Sequence, residues 1–168
     1  MGSDNRKQQF IKVYEEYSDA LYRYCFFKIN DREMAKDLLQ EAFLKTWTHI
    51  AKGEQILNMK AFIYKVLGNL VTDYYRKKRA VSLDAMIETG FDKGFSTTEQ
   101  LENQIDGAKA LETLKQIPEL YREVIFMKYV QELSLKEIAE ITEESENAVA
   151  VKIHRGLKKV KTIFDHTS

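Results

Sequence analysis

Cysteine, proline, glycine and histidine are all scarce in this chain, and each scarcity excludes something. There is one cysteine in 168 residues, so no internal disulfide can staple the fold. Cys25 stands among Tyr24, Phe26 and Phe27, the setting of a core thiol rather than a reactive one. His49, His154 and His166 are scattered without metal-ligand spacing. No metal or other cofactor is expected, and no nucleophile lies in a basic constellation that would suggest an enzyme. One proline and seven glycines leave few helix breakers among many long helix formers. The expectation is an all-α chain. No apolar run nears the roughly 18 residues of a membrane span, so membrane insertion is not expected. The polar start MGSDNRK lacks a secretory apolar segment. A cytoplasmic location is the expectation.

Net charge is also missing: 26 basic residues balance 26 acidic ones. That total looks wrong for a nucleic-acid binder, but the charges are segregated. Lys60 to Arg79 holds Lys60, Lys65, Arg76, Lys77, Lys78 and Arg79 against Asp73 alone. Ala80 to Gly107 holds six acids against Lys93 alone. A basic helix followed by an acidic connector predicts surfaces with different partners.

What is present is helical periodicity in two blocks. A first helix is predicted from about Arg6 to Ile29, with Phe10, Val13, Tyr14, Tyr17, Leu21, Tyr24 and Cys25 on its apolar stripe. Asp31 can cap a second helix running through Thr48. Its core face is Met34, Ala35, Leu38, Leu39, Ala42, Phe43, Thr46 and Trp47. A loop from Ala51 to Leu57 follows, with Gly53 as a hinge. Asn58 can cap a third helix to Arg79, apolar along Phe62, Ile63, Val66, Leu67, Leu70, Val71 and Tyr74. Periodicity weakens from Ala80 to Gly107, save for a short helical turn expected near Leu83 to Ile87. It returns at Ala108 with Leu111, Leu114 and Ile117. Pro118 ends that helix and can start the next, with Tyr121, Val124, Ile125, Met127 and Tyr129 as core positions. The predicted organisation is two small helical domains, 6–79 and 108–168, joined by a flexible acidic linker, 80–107.

The stretch Ser134 to Lys161 carries the sharpest signal. Ser134 and Glu137 form a capping box, and Leu133 with Ile138 fits a hydrophobic staple. Ser145 can cap a second, basic helix with a buried stripe of Val149, Ile153, Leu157, Val160 and Phe164. Its other side carries Asn147, Ala148, Val151, Lys152, His154, Arg155, Lys158 and Lys159. Two capped helices with a tight turn and this polarity describe a helix-turn-helix, whose second helix enters the DNA major groove.

Three segments in order resemble bacterial RNA polymerase sigma factors of the extracytoplasmic-function class. DREMAKDLLQEAFLKTW (Asp31 to Trp47) and NMKAFIYKVLGNLVTDYYRKKR (Asn58 to Arg79) resemble parts of the family's region 2. IPELYREVIFMKYVQELSLKEIAEITEESENAVAVKIHRGLKKVK (Ile117 to Lys161) resembles its region 4. The resemblance implies promoter-specific initiation with core RNA polymerase. It implies that Asp37, Gln40, Glu41 and Leu44, spaced i, i+3, i+4 and i+7, dock on the clamp helices of the β′ subunit. The β flap is the second docking point it implies. Asn69, Asp73, Arg76, Lys77, Lys78 and Arg79 would hold the −10 element. The preceding loop, through Lys52, Glu54 and Gln55, would capture an unstacked base. The outward face of the last helix would meet the −35 element, Arg155 at a guanine edge or a phosphate and Lys158 and Lys159 at phosphates. Promoter DNA is thus expected both double- and single-stranded, and an anti-sigma factor or other targeting partner is implied.

The chain also departs from that pattern. Glu143 stands in the turn where similar proteins often carry glycine, and Ala150 and Val151 replace basic or small polar residues. Weak −35 readout is the expectation. The acidic connector fits either a segment threaded through the polymerase cleft or a solvated tether. Two other functions share some of these features. A helix-turn-helix regulator of duplex DNA would use the last domain alone. An enzyme with a helix-turn-helix tail, such as a recombinase, would need a catalytic first domain.

Overall fold

The computed structural model describes residues 2–85 and 105–167. The described residues are helical with short connections and contain no strand. They fall into two compact units, Met1–Phe95 and Ser96–Ser168.

The first unit is a three-helix bundle of α1 (Gly2–Ile29), α2 (Arg32–Ala51) and α3 (Met59–Ala85). Asn30 separates α1 from α2 in the left-handed region, φ 60°, which asparagine tolerates better than most residues. Asp31 then caps α2, its carboxylate accepting from the Met34 amide at 3.1 Å. Asn58 does the same for α3 through Ala61, also at 3.1 Å. The core gathers Leu21, Tyr24 and Cys25 of α1, Ala35, Ala42 and Thr46 of α2, and Ile63, Tyr64, Leu67 and Val71 of α3. Thr46 is buried without penalty because its hydroxyl donates to the Ala42 carbonyl at 2.8 Å. Truncating Leu67, which is wholly buried, would cost about 2–5 kcal/mol. Burial pushes the Cys25 thiol up to about 12, against a smaller opposing pull from Lys28.

The second unit holds α4 (Ile105–Lys115), α5 (Glu119–Ile125), a π-helical turn (Phe126–Val130), α6 (Leu135–Thr142) and α7 (Glu146–Thr167). Pro118 precedes α5 with φ −56° and ψ 145°; its ring fixes the φ, and its missing amide costs nothing at a helix start. The π turn is closed by the Gln131 amide donating to Phe126 at 3.1 Å. Met127, Leu133, Ile138 and Val149 form the centre of this core.

Several sequence expectations need correction. The α1 helix begins at Gly2 rather than Arg6, and α4 begins at Ile105 rather than Ala108. The α3 helix passes Arg79 and runs to Ala85, because Ala80 to Ala85 contains neither glycine nor proline to stop it. The turn expected near Leu83 to Ile87 lies partly outside the described residues, as does most of the acidic connector. Tyr14 and Tyr129 were expected inside but are 52% and 56% exposed. The Tyr14 ring still packs on Phe43, centroids 4.8 Å apart, so one side of it serves the core. Leu157 and Phe164 are 38% and 36% exposed. The face of α7 that meets α5 is instead centred on buried Gly156.

Candidate nucleic-acid and protein interfaces

The α6–α7 pair has the local geometry that a helix-turn-helix needs. Ser134 accepts from the Glu137 amide at 3.0 Å, and the Glu137 carboxylate accepts from the Ser134 amide at 3.1 Å. Leu133 and Ile138 are both buried beneath this box. The turn is closed by Glu143 in the left-handed region, φ 59°, with the Glu144 amide donating back to Ala139 at 3.0 Å. That six-to-one bond is the signature of a Schellman helix end, a place that favours glycine. A non-glycine residue there costs about 1–2 kcal/mol. Ser145 then accepts from the Ala148 amide at 3.0 Å and starts α7.

On α7, Asn147, Val151, His154, Arg155, Lys158 and Lys159 are exposed, while Ala148 and Lys152 are half-buried. Lys152 reaches back across the turn to Glu144, Nζ to carboxylate 2.6 Å. Its ammonium is therefore already partnered. The Lys159 ammonium lies 5.8 Å from the ring centre of Tyr121 on α5, so its reach begins at the flank of the helix. The outward line through Asn147, Val151, Arg155 and Lys158 is exposed. Val151 is its one apolar member, and Arg155 is the side chain best suited to a bidentate contact with a base edge.

In the first unit, Asp37, Gln40 and Glu41 are exposed on α2. Leu44 continues the same stripe at 66% exposure. Glu41 has only a long contact to Lys45, 3.9 Å. The stripe is thus an acidic surface with an apolar end, opposite the buried Ala35, Leu38, Ala42 and Phe43. Such a surface suits a basic partner found by electrostatic steering.

Asn69, Asp73 and Arg76 lie exposed along one side of α3, followed by exposed Lys77, Lys78 and Arg79. Asp73 and Arg76 approach to 3.8 Å in solvent, a pairing of little energetic weight. The Lys78 ammonium also lies 5.7 Å from the ring centre of Tyr74.

Between α2 and α3 lies Gly53, expected from the sequence as a hinge. Its φ is 83°. Its amide donates to Ile50 at 3.0 Å, and the Glu54 amide donates to His49 at 3.2 Å. These are the two bonds of a Schellman motif, and Gly53 is the residue that ends α2. Lys52, Glu54 and Gln55 are all exposed, but the Glu54 carboxylate is bonded to Nδ1 of His49. Leu57 is 95% exposed and was not singled out from the sequence. An apolar residue in a polar loop just before the Asn58 cap was the signal. Among the described residues there is no cluster of potential metal ligands, and no helix is long and apolar enough to cross a membrane.

These features define a helical transcription protein: a capped helix-turn-helix in one unit, with separate acidic and basic faces in the other. Comparison with known proteins makes the class specific. Residues 13–81 match sigma-70 region 2, and residues 108–160 match sigma-70 region 4. Similar curated proteins include the extracytoplasmic-function sigma factor SigW of Bacillus subtilis. It is 29% identical over 164 residues, covering 90% of this chain and 87% of SigW. SigM of the same organism is 27% identical over 157 residues, covering 92% and 94%. In fold, the chain is similar to the sigma factor RpoE of Bartonella quintana, solved in complex with the anti-sigma factor NepR. The TM-score is 0.72 at 18% identity, covering 94% of this chain and 98% of RpoE. It is also similar to CnrH, solved with the cytosolic domain of CnrY, at TM-score 0.71 and 20% identity over 99% and 94% of the two chains. The chain belongs to the sigma-70 family, in its extracytoplasmic-function class: it is an RNA polymerase sigma factor that directs promoter-specific initiation.

Proposed function

We propose the following division of labour among the residues of this sigma factor. The α2 stripe of Asp37, Gln40, Glu41 and Leu44 docks on the β′ clamp helices of core RNA polymerase. Residues 6–79 act as region 2, with Asn69, Asp73 and the Arg76-to-Arg79 run engaging the −10 element. Basic side chains follow the phosphates, while the α2–α3 loop, carrying Lys52, Glu54 and Gln55, meets an unstacked base. Residues 108–168 act as region 4 and place α7 at the −35 element. Residues 80–107 join the two. The factor works by binding, with no catalysis of its own. Its site of action is then the bacterial cytoplasm. RpoE and CnrH are held by partner proteins in their solved complexes, and an anti-sigma factor of that kind is the partner we propose here.

The observation that carries this reading is the exposed acidic stripe on α2 together with the exposed basic run on α3. A regulator that binds duplex DNA through α7 alone would need neither. The test is reconstitution with core polymerase, followed by run-off transcription from a promoter library. Co-purification and transcripts starting downstream of a shared −10 sequence are expected. DNA binding without polymerase association would favour the duplex regulator.

A further inference from the structure

The end of α2 and the loop that follows it are held by contacts from α1, α2 and α3. At the end of α2 the Glu54 amide donates to the His49 carbonyl at 3.2 Å. The Glu54 carboxylate meets Nδ1 of the same histidine. Backbone and side chain of one residue are thus fixed to another five positions earlier. From α3, the Phe62 ring meets the His49 imidazole edge-on, centroids 5.1 Å apart and planes at 76°. This fixes the plane of the imidazole. From α1, Nη1 of Arg6 donates to the Ile50 carbonyl at 3.5 Å. The same nitrogen lies 3.5 Å from where a Cβ on Gly53 would stand, so the guanidinium covers the turn.

We propose that His49 is a positioning residue for −10 recognition, with Arg6 as its auxiliary. The His49–Glu54 tie sets the shape of the loop so that Lys52, Gln55 and the protruding Leu57 face the DNA. Glu54 then acts through His49, not on a base: its carboxylate is engaged by an imidazole that is itself packed against Phe62. This rests on the reading that the α2–α3 loop meets the −10 strand. A preformed loop selects a base better than a floppy one, because less conformational freedom is given up on binding.

The test uses the full chain reconstituted with core polymerase on promoters randomised at −10. The variants are His49→Ala, His49→Asn, Glu54→Ala and the His49→Ala/Glu54→Ala double. An asparagine amide nitrogen can reach the position of Nδ1 and donate to the carboxylate. The ratio of transcripts from the preferred to the least preferred −10 base is expected to fall about two- to fivefold in each alanine single, the scale of an exposed side-chain pair. The double should lose no more than either single, since both break one tie. His49→Asn should keep most of the selectivity. Core affinity should not change, and the Glu54 amide should exchange hydrogen faster in both alanine singles.

Three results would overturn the proposal. Glu54→Ala flattens selectivity while His49→Ala does not, making Glu54 a direct reader. The two losses add. Or His49→Ala lowers output from every sequence alike, which a purely structural role would do. Replacing residues 52–57 with a glycine-serine segment separates the underlying reading. Unchanged selectivity in that chimaera sinks the loop as a reader, even where hydrogen exchange still reports the tie.

Discussion

Alanine at position 156 sets helix propensity against packing, and the two predict opposite signs. In a helix interior alanine is favoured over glycine by about 1 kcal/mol. Gly156, however, faces α5 at close range. A Cβ there would lie 2.5 Å from Cδ1 of Ile125 and 2.9 Å from Cβ of Tyr121. The isoleucine methyl ends a side chain and can swing, although Ile125 is buried and its neighbours resist. The Tyr121 Cβ is carried directly by the α5 backbone, so relieving that clash requires α5 and α7 to separate. Such overpacking typically costs about 1–3 kcal/mol. The net expectation is a loss of about 1 kcal/mol, or about 4–8 °C in Tm for a unit of this size. The assay is urea and thermal unfolding of the full chain, followed by far-ultraviolet dichroism and by tryptophan fluorescence. The single tryptophan, Trp47, lies in the first unit. Its transition should stay at the wild-type midpoint while the second unit melts earlier. A Gly156→Ala protein that is more stable than wild type would refute the packing argument and leave propensity in control.

Charge reversal at Asp37 and Glu41 should weaken binding to core polymerase with helix content unchanged; binding that survives the double reversal at moderate salt removes this stripe from the interface. Replacing Arg76, Lys77, Lys78 and Arg79 by alanine should weaken promoter engagement across all sequences. The slope of log affinity against log salt should fall by about one for each phosphate that the variant no longer neutralises. Arg155→Ala should remove most of the −35 selectivity, while Lys159→Ala should weaken all duplexes alike, as randomised-duplex binding would report. Cys25 should resist alkylation in the folded chain at neutral pH, because burial raises its thiol from 9.0 to about 12. In the unfolded chain the thiol ionises near 9, so its contribution to stability is intact below pH 9. That contribution falls between about 9 and 12. Rapid labelling without unfolding would contradict the burial.

The starts of α2, α3, α6 and α7 were legible because each is decided within four residues. Asp31, Asn58, Ser134 and Ser145 each bond an amide three positions ahead, and that spacing is visible in the sequence. The exposed stripe on α2 and the basic run on α3 were legible for a related reason, since helical period alone assigns faces. Which edge of a face is buried depends on the partner, and there the sequence reading failed. Periodicity drew the α7 stripe through Leu157 and Phe164, but the approach of Tyr121 and Ile125 centres the packing on Gly156, which hydropathy does not mark. Gly53 read as a loop residue, and the returning amides of Gly53 and Glu54 make it the residue that closes the end of α2. Nor could spacing announce that Glu54 returns to His49, or that Lys152 reaches Glu144 across the turn. Local hydrogen bonds are set by residues close in sequence, so the sequence determines them. Side-chain pairing across a turn, and burial between helices, depend on how backbones approach in space, and only the tertiary structure decides that.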